Sequence, residues 1–138
     1  MDTLVVDPFF TRMAEFFGLT FAELKARRRP GAWREFELAL IDEAELCATF
    51  FADGTRFDAE AFKRHVERSY AWIEGMEPLL AELAHRGTPM HVLSNYPRWY
   101  RLCDARLGVS RYARLTFVSC DTGVRKPEIG RASCRERV

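Results

Sequence analysis

Two short apolar runs, Met90 to Leu93 and Leu115 to Val118, stand on either side of a stretch with helical character, Pro97 to Leu107. Each run is only four residues long and is bounded by turn formers: Pro89 and Ser94-Asn95 around the first, Gly108-Val109-Ser110 before the second. Apolar runs of that length read as buried strands, and strand–helix–strand order requires a crossover between parallel partners. The chain is therefore expected to hold part of an open α/β sheet. In such a sheet the residue ending a strand opens onto the crevice where ligands bind. Ser94 is in that position. Lys126, in Gly123-Val124-Arg125-Lys126-Pro127, follows the second run and offers a fixed point charge for a phosphate or carboxylate. Taken alone, Ser94 reads more readily as a turn or cap residue than as a site residue; its pairing with Lys126 is what points to a site.

Upstream the pattern is different. Asp7-Pro8 reads as the start of a helix, with Asp7 as N-cap and an apolar face of Phe9, Phe10, Met13, Phe16 and Phe17 that ends at Gly18. Thr20 with Glu23 predicts a capping box for a helix to Arg28. Helices are expected over Ala32 to Leu40 and Asp42 to Phe51. A longer one, Ala59 to Trp72, is expected behind the N-cap Asp58, with Phe62, Val66, Ser69, Tyr70 and Ile73 in helical rhythm. His65 on that helix reads as structural. Arg27-Arg28-Arg29 reads as charge complementing a helix C-terminus before it reads as a substrate clamp. Helices and no strand are predicted from Phe9 to Trp72, and a further helix over Met76 to Ala84. A helical module is thus inserted between Met1 to Val6, which reads as the end of a first strand and its exit loop, and the remainder of the sheet. The expected organisation is a first-strand remnant over 1–8, a helical cap over 9–74 and an α/β core over 75–127.

The 138 residues suffice for one domain with a proper core, and 48% apolar with 30% charged residues is ordinary for a soluble globular protein. A net charge of +1 gives no electrostatic reason to expect nucleic acid or membrane as a partner. Cys47, Cys103, Cys120 and Cys134 show no C-x-x-C pair and no metal-ligand spacing, so free thiols in a reducing, cytoplasmic setting are expected. Residues 128–138 resemble the translation of a sequencing-library adapter and are set aside from fold reasoning. A basic tail touching nucleic acid, through Arg131, Arg135 and Arg137, is the weaker reading.

These residues resemble the haloacid dehalogenase (HAD) superfamily of hydrolases. Asp2-Thr3-Leu4-Val5 is similar to the end of its first motif, Leu93-Ser94-Asn95 to the second and Arg125-Lys126-Pro127 to the third. The helical insertion is similar to a cap placed after the first motif. Within the superfamily, Asp7-Pro8-Phe9, Leu40-Ile41-Asp42-Glu43, Gly75-Met76, Ser94 to Tyr100 and Phe117-Val118-Ser119-Cys120 look like plant hydrolases of flavin mononucleotide.

The resemblance implies a HAD-like Rossmannoid sheet with an α-helical cap. It also implies a phosphoaspartyl mechanism on a small-molecule phosphomonoester with Mg²⁺ as cofactor. Ser94 and Asn95 would bind phosphate, and Lys126 would both bind it and act catalytically by neutralising charge. Aligned on Thr3-Leu4, Asp2 is a first-motif remnant and Met1 takes the acid/base position. The nucleophile then falls two residues before Met1, and the metal carboxylates of the fourth motif fall beyond Pro127. A piece of a longer protein, inactive by itself and without metal ligands of its own, is therefore expected. Flavin mononucleotide is the expected substrate, with Tyr96, Trp99 and Tyr100 either stacking its ring or simply packing on the sheet. A 2-haloacid dehalogenase and a non-catalytic α/β module that binds a partner through its cap remain the alternatives.

Overall fold

The computed structural model describes residues 2–9 and 12–126. Eight helices and two strands follow one another along these residues. They are α1 (Arg12–Phe16), α2 (Phe21–Arg27), α3 (Ala32–Glu37), α4 (Glu43–Thr49), α5 (Ala59–Ser69), α6 (Met76–His85), β1 (His91–Ser94), α7 (Tyr100–Leu107), β2 (Arg114–Val118) and α8 (Ser119–Thr122). The architecture is mixed α/β. β1 and β2 pair in parallel, with Leu93 opposite Phe117 and Ser94 opposite Val118, and an irregularity between His91 and Leu93.

The helix starts follow local chemistry. Thr20 and Asp42 each close a capping box, with Glu23 and Glu45 reaching back to the cap backbone. Asp58 caps α5 by accepting from the Ala61 N–H at 2.9 Å. Gly108, at φ +68°, ends α7 in the left-handed conformation that glycine adopts without strain.

Several expected boundaries shift. α5 stops at Ser69, and Tyr70 turns extended; Trp72 forms an isolated antiparallel bridge with Val5. Val6 N–H donates to Ala71 O and Ile73 N–H to Leu4 O, both at 3.0 Å. The chain's entry into the helical segment is thus zipped to its exit, and this tertiary pairing overrides the helical rhythm that ran through Ile73. A second bridge, Arg28 to Phe51, joins the ends of α2 and α4. Among the described residues from Phe9 to Trp72 there are helices and no strand, as expected, and these two isolated bridges are added to them. Asp7 caps a turn, its Oδ1 accepting from Phe9 N–H at 3.0 Å, and α1 begins at Arg12. Phe10, and the tail over 128–138 with Pro127, lie outside the described residues.

One hydrophobic core runs through both segments. Met13, Leu24, Phe36, Leu46, Phe50, Phe62 and Val66 from the helices join Tyr96, Trp99, Cys103 and Val118 from the α/β part. Trp99 is central: its ring meets Trp33, Phe36 and Phe62, with centroids 6.1, 5.2 and 5.8 Å away in edge-on geometry. Its indole N–H donates to Glu43 Oε2 at 2.8 Å, and Lys63 pairs with the same carboxylate at 3.0 Å.

Candidate active site

β1 carries Ser94 at its C-terminal end, where Leu93 and Ser94 pair with Phe117 and Val118 of β2. A cavity of about 440 Å³ runs along β1, from Met90 and His91 to Ser94. Thr3, Leu4 and Val5 form part of its wall, Ser94 and Lys126 another, and Val92 with Leu115 lies on the apolar side. The three sequence segments singled out as motifs therefore converge on one cavity, although 122 sequence positions separate Leu4 from Lys126.

The polar groups in this cavity are available. Ser94 is half-buried, and its hydroxyl makes no hydrogen bond among the described residues. Lys126 is exposed, and its ammonium forms no ion pair among them. Asn95 has a different place. Its Oδ1 accepts from the Lys126 backbone N–H at 2.8 Å, so its side chain fastens the loop after β1 to the loop that carries Lys126. Asp2 is not among the cavity-lining residues. It sits at φ +53°, its N–H donates to Val5 O at 2.7 Å, and its Oδ1 accepts from Asp7 N–H at 2.8 Å. These bonds fold Thr3 to Val5 into the tight loop that lines the cavity.

The Lys126 loop meets the helical segment through charged groups that no sequence motif announces. Glu37, the last residue of α3, is buried and pairs with Arg125 at 3.2 Å. Burial raises its carboxyl above the ordinary glutamate value, against the pull of Arg125 and of a hydrogen bond from Trp33. Asp7 is raised by burial as well, opposed by the Phe9 N–H. Arg27 pairs with Asp53, Arg29 with Glu35, and Arg28 stacks over the Phe9 ring at 4.8 Å, so the arginine triplet has structural partners. His65 is structural too, its Nε2 lying 2.7 Å from Arg12 O.

Of the aromatic run, Tyr96 and Trp99 are core residues, 1% and 3% exposed, and are closed to a stacking ligand. Tyr100 lines the cavity and donates its hydroxyl to Asp121 Oδ2 at 2.7 Å. The described residues do not fit a divalent metal. They contain no group of three or more His, Cys, Asp or Glu side chains that could hold one, and the cavity-lining carboxylate, Asp104, accepts from Ser110 N–H at 2.7 Å. None of the described helices is long and apolar enough to cross a membrane.

No family model matches the chain. It is 42% identical over 128 residues to the Arabidopsis thaliana protein named "Flavin mononucleotide hydrolase 1, chloroplatic". The matched region covers 93% of the chain, a stretch long enough to include both Ser94 and Lys126, and 52% of that protein. The chain is thus a relative of a plant flavin mononucleotide hydrolase and spans about half of its length.

Proposed function

We propose that the chain is the phosphate-binding part of a HAD-type hydrolase acting on a phosphomonoester, with flavin mononucleotide as the substrate. One observation carries this: Ser94, at the C-terminal end of a parallel strand, and Lys126 line the same cavity, the hydroxyl without a hydrogen bond and the ammonium without an ion pair among the described residues. A donor and a cation kept free of protein partners are what a dianionic ligand requires. The name of the relative supports the ester and its flavin.

In this reading Ser94 donates to a phosphoryl oxygen and Lys126 neutralises charge on the transferring group. Thr3 to Val5 shape the opposite wall. Asp2, bonded to Asp7 and absent from the cavity wall, is not the attacking carboxylate; that group and the Mg²⁺ ligands come from elsewhere in the complete protein. Tyr100 is the one aromatic of its run placed to touch a substrate ring.

The test is substitution in the complete protein. Ser94→Ala removes one charge-assisted hydrogen bond, worth about 1.5–3 kcal/mol, and lowers kcat/KM roughly tenfold to hundredfold. Lys126→Ala costs more, on the order of a hundredfold to a thousandfold, as for loss of a preorganised electrostatic group. Lys126→Arg restores it only in part, since a planar fork does not replace a point charge. Unchanged turnover in Lys126→Ala overturns the assignment. Halide release from a 2-haloacid without phosphate release redirects it to a dehalogenase. The 138-residue chain alone is expected to bind phosphate and not to turn a phosphate ester over.

A further inference from the structure

Ser94 ends β1 and Lys126 follows α8, so their relative position has to be set by something other than local geometry. The Asn95–Lys126 bond is one tie. The second comes from the helical segment. The backbone carbonyl of Glu37 accepts from Ser119 Oγ at 2.6 Å, and Ser119 Oγ in turn accepts from the Tyr96 N–H at 3.0 Å, two residues after Ser94. The carboxylate of Glu37 pairs with Arg125 Nη2 at 3.2 Å, one residue before Lys126. A single residue of α3 thus holds the loop after β1 through its backbone and the Lys126 loop through its side chain. Its own side chain is 10% exposed, that of Arg125 31%.

We propose that Glu37 is a positioning residue. Through Arg125 it sets Lys126 against Ser94, and so makes the anion affinity of the core cavity depend on the helical segment. The inference rests on the reading of Ser94 and Lys126 as the phosphate site. Stability does not explain the arrangement. With Glu37 buried and Arg125 half-buried, the pair loses attraction to solvent screening and still pays for desolvating the carboxylate, so its net return is small. What such a pair supplies is a fixed geometry, here at the residue next to the lysine. Glu37 is also well suited to reach Arg125, because packing of Phe36 against Trp33 and Trp99 fixes the α3 backbone.

The experiment uses the purified chain as it stands, with inorganic phosphate as the probe. Phosphate affinity and the hydrogen exchange of the Lys126 amide are measured by NMR for wild type, Glu37→Gln, Arg125→Met and the double variant. Glu37→Gln keeps size and the backbone bond to Ser119, and loses only the charge that holds Arg125. It is expected to weaken phosphate binding by about twofold to a hundredfold, the usual range for coupled neighbours. It should also speed exchange at Lys126 while leaving the α5 amides and the melting temperature nearly unchanged. In the Arg125→Met background Glu37→Gln should have no further effect. Additive effects, or Lys126 exchange unchanged in Glu37→Gln, overturn the proposal. If Glu37→Gln fails to fold, Arg125→Met alone decides, since it must release the Lys126 amide in the same way. Should wild type and Ser94→Ala bind phosphate equally, or neither bind it, the phosphate reading fails. The Lys126 exchange rates then still settle whether Glu37 positions that loop.

Discussion

Burial pushes the thiols of Cys47 and Cys120 up to about 11 and that of Cys103 up to about 12, from an ordinary value of 9.0. Two consequences follow at the residue scale. All three thiols stay protonated at neutral pH and are unreactive to alkylation in the folded chain, with Cys134 first replaced by Ser to leave only described cysteines. Labelling at pH 8 should reach none of them, and three after urea is added. The folded-state values are raised, so above pH 9 the unfolded chain has lost protons that the folded chain keeps. The stabilisation is complete below about pH 9 and declines as pH rises toward 11–12. Urea midpoints should therefore fall between pH 8 and pH 10.5, and fall less steeply in Cys103→Ala; equal slopes would show that Cys103 does not report the effect. Free thiols were legible from spacing alone. Ser94 stood out because it directly follows an apolar run, and Lys126 because it lies in the Gly123 to Pro127 stretch after the second run; both line one cavity. Glu37 did not stand out, since nothing in Arg34-Glu35-Phe36-Glu37 separates the glutamate that pairs with Arg125 from the one that pairs with Arg29. That difference lies in partners supplied by the folded chain.

Among the elements, those with their own start signals were read well. Thr20-x-x-Glu23 predicted the α2 box, and both reciprocal bonds form, at 3.2 Å and 2.8 Å. α2 has only seven residues, too few to be stable by propensity, so its cap carries a large share of its local stability. Thr20→Ala is expected to cost about 1 kcal/mol, read as a lowered urea midpoint with unchanged slope. Thr20→Asn should restore most of it, because the amide oxygen can still accept from the Glu23 N–H. A full-sized loss in Thr20→Asn would mean that methyl packing, and not the cap, was removed. The ends of elements were read less well. Helical rhythm continued through Tyr70 and Ile73, yet the chain leaves the helix at Ser69 so that Ala71 and Ile73 can bond Val6 and Leu4. Sequence period describes which face is apolar; it does not reveal a distant backbone competing for the same N–H groups. α8 was missed altogether, since four residues, Ser-Cys-Asp-Thr, carry no period to detect.

For the whole molecule, the helical segment and the α/β part share one interior, so they are expected to unfold together. Trp99→Ala removes the ring between α3, α5 and α7 and should cost about 3–5 kcal/mol, lowering the midpoints of far-ultraviolet and aromatic signals in step. Separate transitions would show that the helices fold independently. The sheet is where the interior is incomplete among the described residues. Parallel sheets are ordinarily covered on both faces. Leu93 and Phe117, cross-strand partners that share a face, are 43% and 44% exposed, while Val118 next to Phe117 is 1% exposed. Two adjacent large apolar side chains left half in water form a surface that a hydrophobic dye should find. Leu93→Thr with Phe117→Thr introduces β-branched residues suited to a strand and removes most of that apolar area. Dye fluorescence should therefore drop sharply, while the circular dichroism spectrum and the melting temperature hold close to wild type. If the double variant instead unfolds, these two side chains are structural despite their exposure. If wild type binds no dye and the variant changes nothing, the sheet face is covered in solution by something other than the residues described.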